Sequence, residues 1–488
     1  LGRSLGEESV ERSGVSEEWY MGRRVCGKGQ WEGFVLCCVV LCCVCAHLVI
    51  YRFWVSHLAI YPYRVSLCCN QDSDLAARRD GYVEISCTDP SCFKSWPASE
   101  LAVMVDTLGD ANARVVAGTM GVGRYKELSQ SIGLNWNPDG LIADLRLRPH
   151  VDPIGVMTYD WVHNMLQDGV FSAEARAFIK ACEPLGISRA QVQIFLKDEA
   201  WMFPMFAKGK AKQLHRVFDV NRISADQPDK IKASCSELLG LYGLLRHFFE
   251  LHVRDGGAVQ AEYRSFLAAC EVLDLILITK RCTADVVQAA NRLAVAASEH
   301  LRLHIVAYGT VHVKPKHHWT LDVPAQILRD GCVLDAFIIE RTHLLVKSIA
   351  EHVRNTSGYE RSVLSGVLSR DFKTAEATSL GDSLLGKVAD LPGHPGIRVA
   401  DKMAIFTFEV SVDDVILRGD SAGIVVACVL ESGRLMAVVN LMVQVGVISG
   451  HTRAFQPTDS SDVWLASEIA HCIAWYCKPD GSIVVIRM

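Results

Sequence analysis

Asp160 and His163 are three residues apart, a spacing that puts two side chains on the same face of a helix. A carboxylate and an imidazole placed in this way can hydrogen-bond each other, and such a pair could support an active site. A buried polar pair with a purely structural use has the same spacing. The sequence leaves both interpretations open.

A second polar stretch runs from Lys314 to His318 and reads Lys-Pro-Lys-His-His. The adjacent histidines suggest a metal site, but no further residues at a recognisable ligand spacing complete one. Lys314 and Lys316 could instead contact DNA phosphates. A solvated basic loop explains the same residues without any ligand.

The densest basic patch lies in the middle of the chain. Its members are Lys208, Lys210, Lys212, His215, Arg216 and Arg222, with Asp219 among them. A surface of this kind can follow a phosphate backbone, although a solvated helix face also accounts for it. The formal net charge of −5 over 488 residues means that any DNA contact must come from such local patches.

The first 67 residues do not have the pattern of a soluble core. Residues 34–51 form an apolar run without a formal charge, long enough for a membrane span with its amino-terminal side cytoplasmic, or for an overlong signal-peptide core. The run consists largely of Val, Leu and Cys, and this low-complexity composition is also consistent with translated non-coding sequence. The 18 cysteines are unevenly distributed, so we expect reduced thiols in an intracellular chain.

The elements that must position the polar residues are helical in the centre of the chain. Residues 172–304 show apolar faces at helical spacing, with capping boxes at Ser188 to Gln191 and Ser234 to Glu237. Residues 381–396 are rich in Gly, Pro, Asp and Ser and predict a linker. The pattern after it predicts a small β-rich domain over residues 397–488.

Two hairpins are predicted in this carboxy-terminal region. The first joins Ile424–Leu430 to Arg434–Val439 across Glu431-Ser432-Gly433. The second joins Ile473–Cys477 to Ile483–Ile486 across Pro479-Asp480-Gly481.

Two stretches carry motifs in an order known from one family. The first has Asp152-Pro153, then Tyr159-Asp160-Trp161-Val162-His163-Asn164, then Gly169-Val170-Phe171. The second has Lys314 to Trp319, then Leu321, Pro324 and a helix with Phe337, Glu340, Arg341, His343 and Lys347. Together they resemble the transposases of CACTA-type DNA transposons. Val162 stands where that family usually has methionine.

The resemblance implies a ribonuclease-H-like α/β core interrupted by a helical insertion. It assigns residues 68–171 and 305–380 to a remnant of that core and residues 172–304 to the insertion. The expected fold is therefore mainly α in the centre, as insertion plus core remnant, with a small β-rich carboxy-terminal domain.

The family chemistry is Mg²⁺-dependent DNA cleavage and strand transfer, which needs three carboxylates around two cations. The resemblance suggests Glu340 as the third carboxylate, with Asp160 and His163 as a supporting motif. The two earlier aspartates belong on upstream strands, where this sequence has the cysteine-rich run. The first part of the catalytic core is therefore expected to be missing, and an intact Mg²⁺ site is not expected.

The resemblance also suggests DNA-binding side chains and a degraded zinc knuckle. The knuckle residues would be Cys69, Cys87 and Cys92, and their spacing argues against bound zinc. The DNA-binding residues would be Lys208, Lys210, Lys212, Arg216, Lys314, Lys316, Arg341 and Lys347.

The leading expectation is an inactive, transposon-derived nuclear protein with residual DNA binding and no small-molecule ligand. A host DNA-interaction or protein-interaction module, and a single-pass membrane protein anchored by residues 34–51, are the alternatives.

Overall fold

The computed structural model describes residue 88 and residues 98–132, 136–138, 142–152, 158–166, 168–197, 201–204, 213–222, 231–253, 257–280, 285–334, 346–354, 358–377, 383–405 and 408–487. Helix makes up about 53% of the central region, and antiparallel sheet follows it. The predicted mainly helical centre and β-rich carboxy-terminal region are confirmed at this level.

The α-helices of the described residues are as follows: α1 Ala98–Val116, α2 Val122–Ile132, α3 Trp161–Met165, α4 Val170–Cys182, α5 Arg189–Leu196, α6 Cys235–His252, α7 Gln260–Lys280, α8 Val286–Tyr308, α9 Pro315–Asp330 and α10 Tyr359–Ala377. The strands are β1 Trp201–Met202, β2 Ser383–Leu385, β3 Ala389–Asp390, β4 Ile397–Ala400, β5 Lys402–Ile405, β6 Phe408–Ser411, β7 Val415–Arg418, β8 Ser421–Glu431, β9 Arg434–Val447, β10 Thr452–Leu465, β11 Ala470–His471, β12 Ala474–Cys477 and β13 Ile483–Ile486.

Both predicted capping boxes are present at helix starts. At α6, the Glu237 backbone N–H donates to Ser234 Oγ over 3.3 Å, and the Ser234 N–H donates to the Glu237 carboxylate over 2.8 Å. At α5, the Ser188 N–H donates to Gln191 Oε1 over 3.0 Å. These bonds satisfy backbone donors that have no partner inside the helix, and so they fix where each helix begins.

Helix α6 lies at the centre of the main hydrophobic core. Leu238, Leu241 and Leu245 are buried, as are Phe248 and Phe249. Polar residues of the same helix are buried too, and Arg246 is only 1% exposed. A helix buried around its whole circumference needs partners on every side, and α4, α7 and the carboxy-terminal sheet contribute residues to its core.

The larger sheet has ten strands with the main order β1-β12-β13-β10-β9-β8-β4-β3, and β7 pairs with β8 and β11. In the first predicted hairpin, Glu431 pairs with Arg434. Ser432 and Gly433 form its two-residue turn with φ values of 50° and 78°, as a type I′ turn requires. The second predicted hairpin pairs β12 with β13. Both hairpins are confirmed.

The larger sheet packs directly on the helical body. Strand β1 comes from between α5 and α6 and pairs antiparallel with β12. Ala474 and Ile486 of the sheet belong to the main helical core. A Cβ atom on Gly243 of α6 would lie 2.4 Å from Ile473 Cδ1, so glycine permits this close approach. The sheet and the helices therefore share one core at this face.

Strand β1 is the only strand between residues 98 and 377 within the described ranges. The ribonuclease-H-like core remains a prediction. Among the described residues, none of the helices combines the length and the apolar composition that a membrane crossing needs. Residues 34–51 lie outside the described ranges.

Candidate functional site

Asp160 is the N-cap residue of α3. Its carboxylate accepts hydrogen bonds from the backbone N–H groups of Val162, over 3.1 Å, and His163, over 3.2 Å. The ring Nδ1 of His163 donates to the same carboxylate. The expected hydrogen bond between Asp160 and His163 is therefore present, and the carboxylate also satisfies two donors at the start of the helix.

The two stretches that resemble transposases contact each other through α3 and α9. Lys316 Nζ donates to the carbonyl oxygen of His163 over 2.8 Å. The Gln326 amide pairs with the backbone of Tyr159, accepting from its N–H over 2.6 Å and donating to its carbonyl over 3.1 Å. Tyr159 and Trp319 stack with ring centroids 6.3 Å apart. Polar and aromatic contacts thus fix α9 against the start of α3.

The predicted DNA-binding residues within the described ranges lie in different environments. Lys316 is half-buried, and burial lowers the pKa of its ammonium, which is bonded inside the fold. Lys314 is the N-cap residue of α9. Arg216 and Lys347 are exposed. Arg216 and Lys347 are therefore the members of this set with side chains open to solvent.

The other predicted site residues lie outside the described ranges. They are Glu340, Arg341, Lys208, Lys210, Lys212, Cys69, Cys87 and Cys92.

The described residues do not fit a two-Mg²⁺ site. Mg²⁺ favours oxygen ligands, and the family chemistry needs carboxylates that converge. Three donors already occupy the Asp160 carboxylate. Within the described part of the chain, the one group of three acidic, His or Cys side chains close enough to share an ion is elsewhere, at Glu174, His300 and His304.

Glu174, His300 and His304 form a buried cluster between α4 and α8. His304 Nδ1 donates to Glu174 Oε2 over 2.7 Å, and His300 Nε2 lies 3.3 Å from the same oxygen. The exposed fractions are 0% for Glu174 and 2% for each histidine. One ligand atom from each residue falls within 4.8 Å of the other two.

His317 of α9 adjoins this cluster. Its ring stacks on His300 with centroids 5.9 Å apart and planes at 9°, and its centroid lies 4.5 Å from that of His304. His317 Nδ1 lies 3.2 Å from the Lys314 carbonyl oxygen and 3.0 Å from the Lys314 N–H. The buried Nε2 of His317 has no hydrogen-bond partner, whereas the hydroxyl of Tyr308 lies within hydrogen-bond reach of Glu174.

Electrostatics keep the Glu174 carboxyl ionised. Burial alone would raise its pKa, but hydrogen bonds from His300 and His304 outweigh burial and lower the pKa to about 2. Burial, reinforced by the charges of His304 and His300, lowers the pKa of His317 well below its ordinary value. The cluster therefore combines an anionic oxygen with a neutral imidazole at its edge.

Sequence reasoning missed this cluster. His300 and His304 are four residues apart on α8, a spacing that puts both on one face and is visible in the sequence. Glu174 precedes them by 126 and 130 residues, so only the packing of α4 on α8 completes the group.

No protein-family model, curated protein or solved structure matches the chain.

Proposed function

We propose that this chain is a transposon-derived protein that binds duplex DNA and does not cleave it. The observation that carries the proposal is the hydrogen bond from Lys316 Nζ to the His163 carbonyl oxygen, 2.8 Å long and 153 residues apart in sequence. It joins the two stretches whose motifs resemble CACTA-type transposases. A chance match of two unrelated segments gives no reason for them to pack together.

In this proposal, α3 and α9 are remnants of a ribonuclease-H-like core, and α4 to α8 correspond to the helical insertion. The insertion, residues 172–304, begins directly after the first resembling stretch, which ends at Phe171, and ends before the second, which begins at Lys314. This order, core then insertion then late core, is the order expected from the resemblance.

The absence of cleavage follows from the carboxylates. A two-cation mechanism needs oxygens that are free to bridge metal ions, whereas Asp160 is engaged with the start of α3 and with His163. Upstream, Asp72, Asp74 and Asp80 lie in a polar segment without a strand pattern. Glu340 alone cannot assemble the site.

DNA binding is assigned to the basic patch of Lys208, Lys210, Lys212 and Arg216. Four cations within nine positions can neutralise neighbouring phosphates and release counterions. Such contacts position a protein on DNA without reading its sequence. The nucleus is the compartment that this function implies.

Fluorescence anisotropy with a labelled duplex at increasing salt tests the DNA-binding assignment. The triple variant K208A/K210A/K212A is expected to bind more weakly and to reduce the slope of log affinity against log salt by about 2 to 3. The control is K126A/K197A/K387A, which removes three exposed lysines elsewhere. Equal loss of affinity in both variants would show that overall charge, and not this patch, holds the DNA.

A further inference from the structure

We propose that Glu174, His300 and His304 form a structural zinc site that ties α4 to α8 inside the helical body. This inference does not depend on DNA binding or on descent from a transposase. It uses none of the cysteines of the predicted zinc knuckle.

The ligand types favour zinc among the common metal ions. Two imidazole nitrogens and one carboxylate oxygen are a usual zinc set, whereas Mg²⁺ and Ca²⁺ prefer oxygen alone. Tetrahedral zinc with bonds of about 2.0 to 2.1 Å holds its ligand atoms about 3.3 Å apart. The Glu174 oxygen lies 3.3 Å from His300 Nε2 and 2.7 Å from His304 Nδ1. Small side-chain adjustments would therefore admit the ion.

An unpaired atom beside the cluster is a second, independent observation. His317 Nε2 is buried without a hydrogen-bond partner, and His317 is only 2% exposed. A buried polar atom without a partner is costly, and a bound ion nearby is one explanation of such an atom. His317 lies beside the three ligands and is not part of the group whose ligand atoms lie within 4.8 Å of one another.

The surroundings also suit metal ligation. Ligating histidines usually donate their second ring N–H to a backbone carbonyl, which fixes the ring. His304 Nε2 lies 3.4 Å from the His312 carbonyl oxygen. The His304 ring therefore has a backbone acceptor behind the nitrogen that would bind zinc.

Burial of every ligand makes the site structural. An ion enclosed between α4, α8 and α9 would stabilise their packing, and its binding would be coupled to folding. The apparent melting temperature should then depend on zinc.

The test uses the full chain, purified once with zinc and once after chelation. We expect one equivalent of zinc bound at this cluster and a rise of more than about 4 °C in melting temperature when zinc is restored. E174Q, which keeps the shape of the side chain, and H300N should each lose that equivalent and the zinc-dependent rise. H394N, which changes an exposed histidine, should keep both.

Zinc held by cysteines is separated from this site by replacing zinc with Co²⁺. Co²⁺-loaded E174Q should lack an absorption that the wild type shows. That absorption should be typical of tetrahedral Co²⁺ and should not include a thiolate charge-transfer band. If the melting temperature of the wild type is the same with and without zinc, the proposal is overturned, even if every variant fails to fold. So would a folded E174Q variant that keeps the full metal content.

Discussion

Lys316 donates its ammonium to the carbonyl oxygen of His163 over 2.8 Å, although 153 residues separate them in sequence. His163 in turn is held by Asp160, which caps α3. Hydrogen bonds among Asp160, His163 and Lys316 therefore link the start of α3 to the first turn of α9. Two residues expected to serve catalysis and one expected to contact DNA here have a common structural use.

Replacing Lys316 with methionine should destabilise the fold by about 1 to 3 kcal/mol, because a half-buried carbonyl loses its donor. The aliphatic stem is largely retained, so packing changes little. Urea unfolding of K316M measures the loss. The control K347M changes an exposed lysine and should stay within about 0.5 kcal/mol of the wild type. Indistinguishable stabilities of the two variants would refute the structural importance of this bond.

A buried ion pair joins α6 to α7, and its arginine also bonds to the chain just after β13. Arg246 Nη1 donates to Asp274 Oδ2 over 2.5 Å, and its Nη2 donates to the Arg487 carbonyl oxygen over 3.0 Å. D274N removes the charge that compensates a guanidinium of 1% exposure, and should cost about 3 to 5 kcal/mol.

The matched control for D274N is E299Q, which breaks the exposed pair of Arg302 and Glu299. An exposed pair contributes less than about 1 kcal/mol. Chemical denaturation of both variants compares them, and similar losses would contradict the assignment of stability to the buried pair.

The stability should fall in acid partly because of His247. Burial, with a smaller contribution from the charge of His252, lowers the pKa of His247 from 6.5 to about 4. Between these values the unfolded state binds a proton that the folded state does not. The contribution of neutral His247 to the free energy of unfolding is therefore complete above about pH 6.5. As the pH falls towards about 4, the free energy of unfolding decreases by up to about 3 kcal/mol.

H247N tests this pH dependence. Asparagine can keep a hydrogen bond to Thr452 Oγ1, which His247 Nδ1 makes over 3.2 Å. Free energies of unfolding measured from pH 7 to pH 4 should fall less steeply in H247N than in the wild type. Parallel curves would mean that other groups cause the loss.

The sequence predicted the elements that local rules determine. Apolar spacing and capping residues predicted α5 and α6, and turn chemistry predicted the hairpin at Ser432-Gly433, since these signals lie within a few residues of each other. Strand β1 could not be found in this way. It has two residues and exists because it pairs with β12.

The candidate site was less predictable for the same reason. The bond between Asp160 and His163 was expected from their spacing, although Asp160 caps α3 and does not lie within the helix. The position of Glu174 beside His300 depends on how α4 packs on α8, and a single sequence carries no local signal for that packing.

The central claim, DNA binding without cleavage, is tested most directly with supercoiled plasmid, the full chain and Mg²⁺. We predict that the protein retards the plasmid in a gel at low salt, releases it as salt is added, and leaves it supercoiled. Mg²⁺-dependent conversion to open circles or linear DNA that disappears in E340Q would contradict the claim, as would a failure to retard the plasmid at any salt concentration.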